Sequence, residues 1–295
     1  MTAGTPARLV MRSKGWPNKQ KSPQLAGRVR PVSTVTAMGS FLRTRFVLLL
    51  ISALAAMLGL AGPAQASEVQ VAVAANFMLP MKKIAAAFEQ DTGYKTALAF
   101  GSTGKFYAQI KQGAPFHVLL AADAQTPARL SQEGLAVAGS SFTYAVGRLV
   151  LWSKRPGLVD TEGAVLGRGN FSKLALADPS LAPYGAAAVE ALAKLGLLEQ
   201  LRPRFVFGDS VSQAYLFVAT ENATLGFVAM SQVLPDGVRA PGSAWLVPGH
   251  LHEPIRQDAV LLAGARQYPG ARALMGYLQG ERARQIIRSA GYEVR

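Results

Sequence analysis

The 295-residue sequence contains no cysteine and only three histidines. A chain without cysteine has no disulfides, no thiolate metal ligands and no cysteine nucleophile. Two of the histidines, His250 and His252, form a close pair, but they lie in a loop rich in proline and glycine without a third ligand nearby. Zinc sites use three or four protein ligands. We therefore expect no metal-cation site, and likewise no cofactor.

Acidic residues are missing from residues 1–66, which contain nine lysines and arginines. The whole chain has 31 basic and 17 acidic residues and a net charge of +14. Without the first 66 residues the balance is 22 basic against 17 acidic residues, a net charge of +5. Strong basicity is typical of nucleic-acid-binding proteins, but most of it belongs here to a segment that we expect to be removed. We predict no nucleic-acid partner.

The apolar run Phe46–Leu60 falls short of the roughly 20 residues that a transmembrane helix needs. It follows two arginines, Arg43 and Arg45, and precedes the small-x-small sequence 64–66, which is typical of a cleaved signal peptide. We predict a signal peptide over residues 38–66, cleaved after Ala66. Because there is no lipobox cysteine, we expect a soluble periplasmic protein.

Residues 1–37 are polar, basic and rich in proline, glycine and serine, without a hydrophobic period. Such a composition favours disorder. Met38 stands directly before the basic part of the signal peptide and would be an ordinary start. We expect residues 1–37 to be a disordered extension or a mis-assigned start, so that translation begins at Met1 or Met38.

From Ser67 onward, short apolar segments alternate with stretches of helical periodicity. The first strands are predicted over 69–75, 95–100 and 117–121, with helices over 77–92, 104–111 and 127–132. The same alternation resumes after residue 152. This rhythm predicts an α/β fold with two open, mainly parallel sheets, each covered by helices.

Two strand-like segments, the long apolar Tyr144–Trp152 and Ile255–Leu262, are candidates for the crossings between the two sheets. A chain that enters a second lobe and then returns to the first forms a two-strand hinge beside a cleft. We therefore assign residues 67–147 to lobe I, residues 148–254 to lobe II and residues 255–295 to the return into lobe I.

Four strand-to-helix turns carry small polar residues, two turns in each lobe. They are 74–77, 100–104, 178–185 and 208–212. Ligands of open α/β sheets bind beyond the carboxyl ends of strands, and helix N-termini bind oxyanions through unpaired N–H groups. Each turn alone is equally consistent with an ordinary helix cap. Together the turns indicate a small anion held between two lobes. The residues alone do not identify the anion.

Several stretches of the mature chain are similar to those of one family. They are 74–77, 100–116, 121–123, 142–153, 182–185, 191–196, 226–228 and 290–292. Together they resemble the molybdate-binding proteins of ABC transporters, over nearly the whole mature chain. The resemblance implies a type II periplasmic-binding fold and a dehydrated tetrahedral dianion held by neutral donors.

Carried over by position, the resemblance implies a ligand set from both lobes. The implied ligands are Ala75, Asn76, Ser102, Thr103, Tyr184 and Val211. Tyr184 would donate its hydroxyl and Val211 its backbone N–H. One branch of the family has a serine at the position of Asn76, a tyrosine near Ala229 and a small residue at Tyr184. This chain resembles the other branch.

The resemblance implies a monomeric binding protein without catalytic activity. It would capture molybdate or tungstate and deliver it to the membrane permease of an ABC transporter. One alternative is a binder of another tetrahedral oxyanion, sulfate or phosphate. Another is a hydrolase or transferase built around Ser210 or Asp209, which the lack of a positioned base disfavours. A cytoplasmic regulator would need an N-terminal helix-turn-helix, which residues 1–66 do not supply.

Overall fold

The computed structural model describes residues 68–234 and 240–294. The predicted extension over 1–37 and the signal peptide over 38–66, with its cleavage after Ala66, lie outside the described residues. No helix in the described part of the chain is long and apolar enough to cross a membrane.

The described strands form two five-stranded sheets. The strands are β1 (Val69–Ala74), β2 (Thr96–Gly101), β3 (Val118–Leu120), β4 (Phe142–Gly147), β5 (Leu149–Ser153), β6 (Leu174–Ala177), β7 (Phe205–Gly208), β8 (Leu225–Ala229), β9 (Ser243–Leu246) and β10 (Ile255–Leu261). The first sheet has the order β2-β1-β3-β10-β4 and the second the order β7-β6-β8-β5-β9. Each combines a parallel half with antiparallel strands at its other edge. This two-lobed α/β architecture confirms the predicted fold class.

Helices connect most of the strands. They are α1 (Met78–Thr92), α2 (Thr103–Lys111), α3 (Gln125–Gln132), α4 (Val165–Arg168), α5 (Pro183–Lys194), α6 (Leu198–Leu201), α7 (Val211–Ala219), α8 (Met230–Val233), α9 (Pro269–Leu278) and α10 (Glu281–Ser289). A 3₁₀ turn over Ala75–Phe77 joins β1 directly to α1. Apolar positions at helical spacing in α1, namely Met81, Ile84 and Phe88, are fully buried against the first sheet.

Both faces of each sheet are covered. In β1, Val71 and Val73 point to the side of α1, α9 and α10, whereas Ala72 points to the side of α2 and α3. In the second sheet, Leu149 and Leu151 of β5 pack toward α5, and Val150 packs toward α7. Strands that are buried on both faces are apolar throughout, which is why these segments show no alternation in the sequence.

The chain crosses between the sheets in two places. The predicted single strand Tyr144–Trp152 is in fact two strands, because β4 ends at Gly147 in the first sheet and β5 begins at Leu149 in the second. The carbonyl of the intervening Arg148 accepts a hydrogen bond from the N–H of Met230 (3.0 Å). The second crossing follows β9 and leads into β10. We retain 67–147, 148–254 and 255–295 as the proposed extents of the lobes.

Candidate functional site

The four turns predicted from the sequence meet at one small cavity between the sheets. Each turn follows the carboxyl end of a strand, β1, β2, β6 or β7, and leads into a helix. The residues that line the cavity are Ala74, Ala75, Asn76, Gly101, Ser102, Thr103, Ala122, Ala182, Pro183, Tyr184, Ser210 and Val211. All six residues of the implied ligand set are among them, and each is less than a tenth exposed.

Residues at the starts of helical segments line this cavity. Ala75 and Asn76 occupy the first two positions of the 3₁₀ turn, Thr103 begins α2 and Val211 begins α7. The first N–H groups of a helix have no partner within the helix. They also lie at the positive end of its dipole. The turns thus supply donors and positive potential without a charged side chain.

The Ser102 hydroxyl distinguishes a binding role from an ordinary cap. Ser102 is the N-cap residue of α2, but its side chain makes no capping hydrogen bond. Its Oγ is buried and is the one buried side-chain polar atom of the described residues that has no hydrogen-bond partner. Leaving such a group unpaired costs roughly 1–3 kcal/mol. A ligand that accepts a hydrogen bond from Ser102 would recover that energy.

Two further hydroxyl groups of the cavity wall accept hydrogen bonds from within the protein. Thr103 Oγ1 accepts a hydrogen bond from the N–H of Ala122 (2.9 Å). Tyr184 Oη accepts one from Nε2 of Gln257 (3.2 Å). Each hydroxyl has one proton to donate besides the lone pairs that accept. Both residues line the cavity, so both can donate into it.

The side-chain amide of Asn76 lies in the cavity wall but is used within the protein. Its Nδ2 donates to Oε1 of Gln257 (2.8 Å) and to Oη of Tyr292 (2.9 Å). An amide nitrogen has two protons, so both are used within the protein. The donor that Asn76 offers to the cavity is therefore its backbone N–H, and its side chain braces the turn.

A buried hydrogen-bond network that the sequence analysis missed supports this wall. Gln257 and Tyr144 belong to it, as does Tyr292, whose Oη donates to the carbonyl of Asn76 (2.8 Å). The Oγ of Ser231 donates to the same carbonyl (2.8 Å). Gln257 lies between the charged residues Arg256 and Asp258, so its local sequence does not mark it as buried, whereas Tyr292 belongs to one of the stretches that carry the family resemblance.

The tyrosines around the cavity stay protonated. Burial raises the pKa of Tyr184 and of Tyr144 well above the ordinary value of 10, and burial raises the pKa of Tyr292 to about 12. At neutral pH the Tyr184 side chain is therefore a neutral donor. None of the described residues that line the cavity has an ionisable side chain other than Tyr184.

Contacts between the lobes close the cleft around the cavity. The N–H of Gly104 donates to the carbonyl of Leu181 (2.9 Å), and Oγ of Ser212 donates to the carbonyl of Ala75 (3.1 Å). On the surface, Lys105 of α2 forms an ion pair with Asp209 before α7. These contacts hold donors of lobe I and lobe II around the same small volume.

A cavity surrounded by neutral donors and helix N-termini, without a lining carboxylate, is suited to a small anion. Residues 69–293 match the family described as bacterial extracellular solute-binding protein. This chain belongs to that family. Its match covers nearly all of the residues that the structure describes.

Molybdate-binding proteins are among the relatives of this solute-binding protein. It is 59% identical over 233 residues to the molybdate-binding protein ModA of Azotobacter vinelandii, which covers 79% of this chain and 92% of that protein. It is 53% identical over 241 residues to the ModA of Rhodobacter capsulatus, with coverage of 82% and 94%. The solved structure of an A. vinelandii periplasmic molybdate-binding protein superposes with a TM-score of 0.76, at 40% identity, over 77% of this chain and 100% of that one. The resemblance inferred from the sequence is confirmed.

The alternative centred on Ser210 and Asp209 finds no support in the geometry of this solute-binding protein. Ser210 Oγ accepts a hydrogen bond from the N–H of Gln213 (3.4 Å), so it acts as an ordinary cap of α7. Asp209 is engaged by Lys105. Within residues 68–234 and 240–294, no group of three or more metal-ligating side chains is found.

Proposed function

We propose that this protein is a periplasmic binding protein that captures molybdate in the cavity between its lobes and delivers it to the membrane permease of an ABC transporter. Tungstate, which has the same charge and shape, is the second proposed ligand. In this function the protein is a monomer, needs no cofactor and catalyses no reaction.

The observation that carries the proposal is the donor set of the cavity. Two turns from each lobe line one volume, with helix-start residues and with the hydroxyl-bearing side chains of Ser102, Thr103 and Tyr184, and this supports the proposal. A tetrahedral dianion has four oxygens that accept hydrogen bonds, and bonds to a charged acceptor are the stronger kind. The identity to proteins named for molybdate binding supports the choice of anion.

The site favours a larger tetrahedral anion over sulfate because its donors are fixed. The N–H groups belong to helix starts, and the Thr103 and Tyr184 hydroxyls are held by Ala122 and Gln257. Sulfate is smaller than molybdate, so donors spaced for molybdate would form longer hydrogen bonds to it. Specificity of this kind is a difference between two binding free energies.

Calorimetric titration of the purified protein with molybdate, tungstate, sulfate and phosphate tests the proposal. We expect one site per chain, with tight binding of molybdate and tungstate and much weaker binding of sulfate and phosphate. The melting temperature should rise with molybdate concentration, because a ligand that binds only the folded state stabilises it. Equal binding of all four anions, or no binding of molybdate at millimolar concentration, would contradict the assignment.

A further inference from the structure

Gln257 is a fully buried polar residue in β10, the strand that returns to the first sheet. A buried amide is costly unless both of its ends are hydrogen-bonded. Here Oε1 accepts from Nδ2 of Asn76 (2.8 Å) and from Oη of Tyr144 (3.0 Å), and Nε2 donates to Oη of Tyr184 (3.2 Å). Gln257 thus joins a turn of lobe I to the tyrosine of lobe II, although it does not itself line the cavity.

The two ends of the amide fix the direction of these bonds. The oxygen can only accept and the nitrogen can only donate. Tyr184 Oη must therefore accept from Gln257, and its own proton goes to another acceptor, either a bound oxyanion or the neighbouring Tyr292 hydroxyl. An oxygen acceptor at the position of Nε2 would reverse the bond, and Tyr184 would then donate away from the cavity.

We propose that Gln257 is a positioning residue that sets the polarity of the anion site. By donating to Tyr184, it keeps the phenolic proton directed to the bound oxyanion. By accepting from Asn76, it holds the turn whose residues Ala74, Ala75 and Asn76 line the cavity. The inference rests on the proposed function, since it concerns how the same anion is recognised.

Gln257→Glu tests the polarity directly, because the two side chains have the same shape. An ionised carboxylate at this position has only acceptors, so Tyr184 would donate to it and its negative charge would repel the anion. We expect molybdate affinity at pH 8 to fall at least tenfold, about the loss of one hydrogen bond to a charged ligand. Affinity should rise again as the pH is lowered to 6, since a protonated carboxyl can donate to Tyr184.

The wild-type protein provides the reference for this pH profile. No side chain that lines its cavity titrates between pH 6 and 9, so its affinity should be flat over that range. Gln109→Glu is the matched control, because Gln109 is exposed on α2 and the charge change is the same. That control should keep both the affinity and the flat profile.

A double-mutant cycle separates positioning from simple loss of packing. Gln257→Met removes both polar ends without adding a charge, and we expect roughly tenfold weaker molybdate binding. In a Tyr184→Phe background the same change should cost less than about threefold, because the hydroxyl that Gln257 aligns is gone and contacting residues are not additive. Circular dichroism without ligand verifies that each variant is folded. If Gln257→Glu does not fold, the double-mutant cycle alone decides whether Gln257 positions the Tyr184 hydroxyl.

The outcomes distinguish the two proposals. Wild-type protein that does not bind molybdate would overturn the proposed function. Wild-type binding together with additive losses in the cycle would overturn the polarity role. A pH-dependent Gln257→Glu profile or a shrinking loss in the Tyr184→Phe background supports it.

Discussion

Two serines at equivalent positions of two turns differ in whether their hydroxyl caps the following helix. Ser102 and Ser210 both precede a helix, and the sequence pattern predicts the same capping role for each. Ser210 does cap its helix, whereas the Ser102 hydroxyl is buried without a partner. A buried donor without a partner lowers the stability of the fold, and this supports the proposed role of Ser102 as a donor to the anion.

The Tyr184 hydroxyl offers a sharper test of the ligand set. Tyr184→Phe removes the donor that lobe II contributes through a side chain and leaves the ring in place. Hydrogen bonds to a charged group contribute about 1.5–3 kcal/mol, so molybdate should bind roughly ten- to a hundredfold more weakly by calorimetry.

The control for this variant is Tyr215→Phe in the same lobe. The Tyr215 ring stacks on Trp152 with centroids 5.0 Å apart, and Tyr215 does not line the cavity. Its substitution should leave molybdate affinity unchanged. Equal affinities for the Tyr184 and Tyr215 variants and the wild type would remove Tyr184 from the ligand set.

At the scale of elements, hydrophobic pattern predicted strands and helices well where they are long. The elements β1, α1 and β10 differ from the prediction by one residue at an end. The single-turn helices and β9 were missed. A segment of four residues contains too little of a helical or strand period to be distinguished from a loop.

The division at Arg148 could not be predicted for a different reason. All residues of β5 and most of β4 are buried, so the segment is apolar on either side of Arg148. What separates the strands is their pairing, β4 with β10 and β5 with β8 and β9.

The turns of the candidate site could be predicted from their capping residues. The Gln257 network could not, because it depends on contacts between residues that are distant in sequence.

Gly147 is the last residue of β4, at the first crossing between the sheets, and it lies directly against Tyr184 and Gln257. A Cβ atom there would overlap the Tyr184 hydroxyl and lie 2.6 Å from Nε2 of Gln257. Gly147→Ala should therefore displace Tyr184 and weaken molybdate binding at least tenfold, and such overpacking typically costs about 1–3 kcal/mol of folding stability. Calorimetry and urea denaturation measure the two effects.

Gly276→Ala is the matched control, because nothing lies within 4 Å of a Cβ at that position in α9. Alanine in a helix interior is more favourable than glycine by up to about 1 kcal/mol, so this variant should bind normally and be slightly more stable. Adding Tyr184→Phe to Gly147→Ala should restore part of the lost stability, since it removes the overlapping oxygen. Stability that does not change in Gly147→Ala would show that the crossing accommodates a side chain.

For the whole molecule, the buried tyrosines couple the fold to alkaline pH. Tyr144, Tyr184 and Tyr292 have pKa values raised by burial, that of Tyr292 to about 12. In the unfolded chain a tyrosine has a pKa of about 10. Above that pH the unfolded state binds fewer protons than the folded state, so the free energy of unfolding decreases as the pH rises. The stabilisation is fully present below pH 10.

Urea denaturation at pH 8, 10 and 11 measures this decrease, and Tyr184→Phe isolates one tyrosine from the lysines that titrate in the same range. Each tyrosine kept neutral in the folded state adds up to about 1.4 kcal/mol per pH unit to the slope. The wild-type slope between pH 10 and 11 should therefore exceed that of Tyr184→Phe by up to this amount, whereas the two curves should run parallel at pH 8. Identical slopes above pH 10 would mean that Tyr184 ionises freely in the folded protein, and a phenolate in the cavity wall is incompatible with its proposed role as a donor to an anion.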